Sequence, residues 1–202
     1  MGAVFGAIRE ELPRHTTVIS TDAFVVRRYA PSVAAVSHYG AGGWGQASDG
    51  SPFGALARYI GVFSTPENSA ASSAPERIAM TAPVLIDTST DPQRHAMMFV
   101  LPGSVYGSDA ARVPTPTNQK VSIKEMPERL VAVRTFSGVI RHKPAAENLA
   151  LLLADVEADG RYDVVRAADG SPRWQAAGYN SPFVLPWLRT NEVLLEVVEG
   201  KK

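Results

Sequence analysis

The chain has 202 residues, which fits one large domain or two small, closely joined ones. Twenty Lys and Arg balance twenty Asp and Glu, so the net charge is zero and a protein held on nucleic acid by phosphate contacts is not expected. The chain contains no Cys, which excludes disulfides, Cys-ligated metals and a thiol nucleophile. Its apolar runs are too short for a transmembrane helix, and we expect a globular, cytoplasmic protein.

Two segments have helical periodicity, and most of the remaining chain alternates as β-strands do. Ser51 and Pro52 favour a helix start, and Gly61 ends that helix. The second helix is predicted to open at Pro144 and to close at Gly160. The strands are predicted, in chain order, at 17–20, 24–29, 33–39, 84–87, 96–101, 121–126, 130–136, 174–179 and 192–198. Two long loops, 64–77 and 103–118, are expected to be mobile or functional.

An internal repeat relates the two ends of this pattern. At an offset of about 97 residues, Val33 falls on Leu130 and Tyr39 on Phe136, and each half reads β-β-α-β-β. The halves span about 17–102 and 119–199 of a single domain over residues 1–202. We therefore predict an α+β fold: a distorted antiparallel β-barrel with two flanking helices, built from a duplicated unit.

Several motifs occur in a specific order along nearly the whole chain. They are Val4-Phe5-Gly6, Arg27-Arg28-Tyr29 with Pro31, Tyr59-Ile60, Ile78-Ala79-Met80-Thr81-Ala82-Pro83-Val84, Phe99-Val100-Leu101-Pro102, Gly178-Tyr179-Asn180-Ser181-Pro182 and Arg189-Thr190-Asn191-Glu192-Val193. Through these motifs, taken in this order, the chain resembles the SOUL haem-binding protein family.

The resemblance implies a barrel of eight or nine strands with two helices, related to the ligand-binding domains of drug-sensing bacterial regulators. It also implies non-covalent binding of haem or metal-free protoporphyrin in a shallow apolar groove between the first helix and the loop after the Gly-Tyr segment. Carried onto this chain, one wall of the groove would be Phe53, Leu56, Arg58, Tyr59 and Ile60, and the other Tyr179, Phe183, Val184 and Leu185. These residue types suit a porphyrin, which needs apolar contacts and a cation for its carboxylates. The alternative is that the helix stripe only packs on the sheet.

Two polar residues have open roles. His38 is the candidate axial ligand of a haem iron, against a strand-end His without a ligand role; His15, His95 and His142 are expected at the surface. Glu192, with Arg189 close in sequence, either serves the pocket or ties its strand to a neighbouring loop.

The leading hypothesis is an intracellular tetrapyrrole carrier, buffer or scavenger. An enzyme that modifies or demetallates a tetrapyrrole is the alternative, with Glu192 and Tyr179 as acid–base candidates, although the chain has no GxSxG, HExxH or Walker motif. A third hypothesis is an apolar groove that takes a protein partner.

Overall fold

The computed structural model describes residues 7–40, 51–62, 64–70, 74–88, 95–181 and 183–200. The motif Val4-Phe5-Gly6 and residue Pro182 lie outside them. The helices are α1 (Pro52–Ile60), α2 (Gly103–Tyr106) and α3 (His142–Asp159). The strands are β1 (His15–Ser20), β2 (Val25–Tyr29), β3 (Ser32–Tyr39), β4 (Asn68–Ser69), β5 (Val84–Asp87), β6 (His95–Val100), β7 (Thr115–Pro116), β8 (Ser122–Met126), β9 (Arg129–Phe136), β10 (Tyr162–Val164), β11 (Trp174–Gly178) and β12 (Asn191–Glu199).

The two long helices begin and end for local reasons. The Ser51 hydroxyl accepts a hydrogen bond from the amide of Gly54, Pro52 occupies the first turn, and Gly61 ends α1 with φ at +82°. Gly160 ends α3 in the same left-handed conformation. The predicted helix signals at Ser51, Pro52, Gly61 and Gly160 are confirmed, whereas α3 begins at His142, two residues before the predicted start at Pro144. The short third helix α2 was not indicated by the sequence pattern.

A largely antiparallel sheet of ten strands dominates the described residues, so the α+β class is confirmed. Its strand order is β1-β2-β9-β12-β11-β5-β6-β3-β8, with β10 added on β12. The order from β2 to β8 is symmetric about its centre, so that each strand of one half has a counterpart of the other half at the same distance from the opposite end. The counterparts are β2 and β8, β3 and β9, β5 and β11, and β6 and β12. The centre of this pattern is the β5–β11 pair, in which Ile86 lies opposite Ala176.

In the described sheet, β2 is not paired with β3, which follows it after Pro31, and β8 is not paired with β9, which follows it after Pro127. Instead β2 pairs with β9 and β3 pairs with β8, so each half places its first strand on the other half. An offset of 97 residues carries Ser32–Tyr39 onto Arg129–Phe136, in agreement with the repeat.

The predicted barrel is not a closed one in the described part of the chain, where the pairings form an open path from β1 to β8. The sheet nevertheless curls. One buried cluster on its inner face combines Tyr29 of β2 and Met126 of β8, near the two ends of the path, with Leu85 and Leu194 from the middle. A second cluster lies on the outer face, where α1 and α3 cover the sheet through Leu56 and Leu152.

The two predicted loops are joined to each other by a short strand pairing. Asn68 and Ser69 of β4 pair with Pro116 and Thr115 of β7. Asn68 is buried, and its side-chain amide donates to the carbonyl oxygens of Tyr59 and Glu76, at 2.8 Å each, and accepts from the Glu76 amide. In the described residues no helix is long and apolar enough to cross a membrane.

Candidate functional site

A groove opens on the outer face of the sheet, over the β5–β11 pair at the centre of the fold. We call it the central groove; its volume is about 200 Å³. Six apolar side chains line it, and the polar ones gather near the start of β12. The lining residues are Phe53, Val84, Ile86, Met97, Val139, Ile140, Gly178, Asn180, Arg189 and Asn191.

The alternation of side chains along β5 determines which of its residues form the floor of the groove. Val84 and Ile86 alternate with Leu85 along β5, so they face the helices while Leu85 joins the inner core. Phe53, in the first turn of α1, meets the ring of Phe99 edge-on with centroids 5.4 Å apart. The groove is therefore built on rigid elements.

The segment before α3 supplies the opposite wall. The side-chain amide of Asn191 donates to the Gly138 carbonyl at 3.0 Å, and the Gly138 amide donates to the Pro186 carbonyl at 2.9 Å. Gly138 has φ at +104°, a conformation that favours glycine. These bonds fix Val139 and Ile140 beside the groove and tie them to the following loop.

That loop, residues 183–189, reaches the groove through Arg189 and exposes several large apolar side chains; we call it the aromatic loop. Phe183 is 84% exposed and Trp187 is 68% exposed, and Leu185 and Leu188 are also exposed. Val184 is buried and anchors the loop, and Arg189 donates from Nε to the Val184 carbonyl at 2.8 Å. Four exposed large apolar side chains in one short loop make it a candidate interaction surface.

The structure separates the residues that the sequence assigned to the groove. Phe53 lines it, and Phe183 and Leu185 lie on the aromatic loop. Leu56, Tyr59 and Ile60 are instead packed in the core, because the apolar stripe of α1 faces the sheet. The Tyr59 hydroxyl donates to the Pro114 carbonyl at 2.8 Å, and burial raises its pKa.

Arg58 does not lie at the groove. Its Nε donates to a Glu67 carboxylate oxygen at 2.9 Å, so the charge of Arg58 is engaged in an ion pair. Arg189, which the sequence placed beside Glu192, is the groove's cation instead.

Tyr179 and Glu192 face the inner side of the sheet. Arg27 binds Glu192 through two hydrogen bonds of 2.9 Å, and the Tyr179 hydroxyl donates to the same carboxylate at 2.6 Å. Burial raises the pKa of Tyr179, and the charge of Glu192 adds to the shift. Burial alone would lower the pKa of Arg27, but the hydrogen bonds and charge of Glu192 outweigh it and raise that pKa. The partner of Glu192 is thus Arg27 rather than Arg189, and the pair joins β12 to β2.

His38 is also on the wrong face for the central groove. It alternates with Ser37 along β3 on the side of Ala34 and Val36, which belong to the inner core, and its side chain is exposed. The groove lining in the described residues includes none of the four His, and these residues contain no His, Asp and Glu cluster suited to a metal ion.

Comparison with known proteins decides the family. The model of the SOUL heme-binding protein matches residues 10–196. The chain belongs to the SOUL haem-binding protein family. No curated protein matches it.

Solved structures share the fold at low sequence identity. The C-terminal domain of EcmrR is 10% identical, with a TM-score of 0.55 over 94% of this chain and 99% of that one. A hydrolase from Listeria innocua is 12% identical, with a TM-score of 0.52 over 94% and 93%. A conserved protein from Listeria innocua is 11% identical, with a TM-score of 0.51 over the same shares. These likenesses establish the architecture of this SOUL family member and nothing about its ligand.

Proposed function

We propose that this SOUL family member binds haem or a related tetrapyrrole non-covalently in the central groove and acts as an intracellular carrier, buffer or scavenger. Family membership supports the ligand class. The observation that carries the site is an apolar groove bordered by a loop that exposes Phe183 and Trp187. We also infer that the two halves, about 17–102 and 119–199, come from one duplicated unit, which the strand order supports.

The chemistry of the groove suits a flat apolar ring with acidic edges. Ile86, Met97 and Ile140 offer the apolar surface on which such a ring rests. Arg189 offers a guanidinium for a propionate, the role that the sequence gave to Arg58. Asn180 and Asn191 place further polar groups at the same end.

The size of the groove determines how the ligand would sit. Its volume of about 200 Å³ is smaller than that of a typical pocket for a drug-sized molecule, roughly 300–1,000 Å³. Part of the macrocycle would therefore remain outside the groove, against the exposed rings of Phe183 and Trp187. Contact with the macrocycle would explain why the aromatic loop exposes large apolar side chains.

Binding in this geometry would not depend on the iron. His38 faces the other side of the sheet, and Met97 is the one sulfur-bearing side chain among the described groove residues. We propose that hemin and metal-free protoporphyrin IX bind with similar affinity. A His38→Ala variant is expected to leave the hemin spectrum unchanged.

The test is a titration of the purified full chain with hemin and with protoporphyrin IX. The reporter is a variant that keeps Trp187 as its single tryptophan, made by Trp44→Phe and Trp174→Phe, because a porphyrin beside Trp187 quenches its fluorescence. Phe53→Ala and Phe183→Ala are each expected to weaken both ligands several-fold. Leu151→Ala, an exposed apolar position on α3, is the matched control and should have no effect.

Two results would contradict the proposal. One is the absence of saturable binding of either ligand. The other is binding that is lost in the control variant as much as in Phe53→Ala. A spectrum of bound tetrapyrrole that decays with time would instead support the enzyme hypothesis, which no contact of Tyr179 or Glu192 favours because both face away from the groove.

A further inference from the structure

The aromatic loop and the segment that leads into α3 adjoin each other and expose apolar side chains together. The Gly138 amide donates to the Pro186 carbonyl at 2.9 Å and so joins the two segments. Eleven large apolar side chains are exposed among the described residues, and five of them lie here. We call these five the apolar patch: Val139, Phe183, Leu185, Trp187 and Leu188.

The charge of these segments has one sign. Residues 137–143 and 178–191 contain two Arg and one Lys but not one Asp or Glu, although the whole chain has twenty charges of each sign. Arg141 and Lys143 are both exposed, and the Lys143 side chain is 89% exposed. Lys143 Nζ lies 4.0 Å from a carboxylate oxygen of Glu147, and a solvated pair at this distance contributes little. Both cations are therefore available to an anionic surface.

The cations border the apolar patch. Arg141 follows Gly138 by three residues, so its Cα lies at most about 11 Å from the residue that bonds to the aromatic loop. Lys143 follows in the first turn of α3. The loop itself is held by the buried Val184 side chain and by the hydrogen bond from Arg189 to the Val184 carbonyl. The patch is thus an anchored surface with positive charge beside it.

Exposed Trp, Phe and Leu side chains beside basic residues match the surface of a bilayer that contains anionic lipids. Trp favours the headgroup region, and Phe and Leu enter the boundary between headgroups and acyl chains. Arg and Lys are attracted by the negative surface potential of such a bilayer. A partner helix would need a groove to receive it, and the central groove, about 200 Å³, is smaller than a typical pocket for a drug-sized molecule. These observations favour a lipid surface over a protein partner.

We propose that the apolar patch attaches the protein peripherally to an anionic bilayer, with Phe183 and Trp187 among the headgroups and Arg141 and Lys143 on the lipid phosphates and carboxylates. The attachment needs no tetrapyrrole, because these side chains are exposed in the free protein. A bound macrocycle would share Phe183 and Trp187 with the bilayer. Arg141 and Lys143 do not line the central groove, so variants of these two residues separate the bilayer proposal from the tetrapyrrole proposal.

The experiment uses the full chain without tetrapyrrole and measures its sedimentation with lipid vesicles. One set of vesicles is phosphatidylcholine alone, and the other contains about 30% phosphatidylserine. The protein should partition onto the anionic vesicles about tenfold more strongly than onto the neutral ones, and about 0.5 M salt should remove most of this difference because it screens exposed charges. In the variant that keeps Trp187 as its single tryptophan, the emission should shift to shorter wavelength on the anionic vesicles.

Variants locate the contact with the bilayer. Trp187→Ala should weaken partitioning about tenfold, and Arg141→Ala and Lys143→Ala about fivefold each. The matched controls are Val198→Ala and Lys124→Ala, which should have no effect. Val198 and Lys124 are exposed beside one cavity on the inner face, and Val198 is seven residues along β12 from its first residue, about 23 Å away.

All five substituted side chains are exposed, so the variants should keep the Tm of the parent. The double variant Arg141→Ala with Lys143→Ala should bind protoporphyrin IX as the parent does.

Three outcomes would overturn the proposal. The first is a protein that stays in solution with both kinds of vesicle. The second is partitioning that the Trp187 and Lys143 variants reduce no more than their controls do. The third is self-association of the parent chain that Trp187→Ala abolishes, with no binding to vesicles, which would assign the apolar patch to a protein interface instead.

Discussion

Removal of the Glu192 carboxylate should destabilise the protein strongly without affecting the proposed tetrapyrrole site. Glu192 is 4% exposed, and its carboxylate receives hydrogen bonds from both Arg27 and Tyr179. In Glu192→Leu the guanidinium and the phenol remain inside the curled sheet without their acceptor. Breaking a buried ion pair from one side costs about 3–5 kcal/mol.

The expected loss can be converted to a melting temperature. For a domain of about 200 residues, each kcal/mol lowers Tm by about 2–4 °C, so Glu192→Leu should melt about 6–20 °C below the parent protein. Urea denaturation gives the same comparison as a shift in midpoint, provided that the slope with denaturant is unchanged.

Two further variants separate the causes. The double variant Arg27→Met with Glu192→Leu removes both charges and should recover most of the loss, because the pair is replaced by apolar volume. Glu147→Leu removes one partner of the exposed Lys143–Glu147 pair and should change stability by less than about 1 kcal/mol. Protoporphyrin affinity of folded Glu192→Leu should equal that of the parent.

The reasoning would be refuted by a Glu192→Leu protein as stable as the parent, or by a double variant no better than the single one. A folded Glu192→Leu protein that has lost protoporphyrin binding would refute the assignment of Glu192 to a structural role.

Three more predictions follow from the described contacts. Burial raises the pKa of Tyr39 to about 12, and its hydroxyl has no hydrogen-bond partner among the residues that the structure describes. The stability that comes from keeping this phenol neutral is present below about pH 10, the pKa in an unfolded chain, and is lost as the pH rises toward 12. The Tm measured between pH 8 and 11 should therefore fall less steeply in Tyr39→Phe than in the parent, and equal slopes would be contrary to this assignment. Gly61 has φ at +82°, and an added Cβ would lie 2.6 Å from Pro66 Cγ. Gly61→Ala should therefore lower the free energy of unfolding, measured by urea denaturation, by more than about 1 kcal/mol, and by more than Gly160→Ala, where the space is open. Equal losses in the two variants would count against the clash. Asn68→Ala removes three hydrogen bonds and leaves buried backbone groups unpaired, so it should lower the free energy of unfolding by about 2 kcal/mol or more in the same assay. A loss below about 0.5 kcal/mol, the size expected of a surface substitution, would contradict the role of Asn68 in holding these backbone groups.

Strand patterns predicted most of the sheet, because its strands are rich in β-branched and apolar residues that pack against the clusters on its two faces. They missed β10, which has three residues, and β4 and β7, which have two each, because such short strands show no period. The β4 segment is held by the Asn68 side chain and its backbone partners, a contact that no local pattern reveals. The pairings of β2 with β9 and of β8 with β3 join residues far apart in sequence, so no local pattern reveals them either.

The sequence predicted the elements that border the candidate site better than it predicted the residues that line it. It assigned the groove to the space between α1 and the loop after Gly178, and the central groove is lined by residues of both segments. The apolar stripe of α1 placed Leu56 and Ile60 in the core, however, and only Phe53 at its edge reaches the groove. Val139 and Ile140 carried no signal, since they lie in an irregular segment held by the hydrogen bonds of Gly138 with the Asn191 side chain and the Pro186 carbonyl.

The pairing of Arg27 with Glu192 joins residues 165 positions apart, so proximity in sequence favoured Arg189 incorrectly. One signal could have helped: a carboxylate within an apolar strand that faces a core needs a cation on a neighbouring strand. Arg27 lies on such a strand in the predicted sheet.

The central claim is that a tetrapyrrole lies in the groove over the β5–β11 pair. A titration of ¹⁵N-labelled protein with protoporphyrin IX, followed in two-dimensional ¹H–¹⁵N spectra, tests it most directly. The account predicts that the largest shifts fall on residues 138–140, 178–180 and 183–191, with Phe53 among them. Shifts confined to the inner face, around Asp87 and Gln175, or no shifts at saturating ligand, would contradict it.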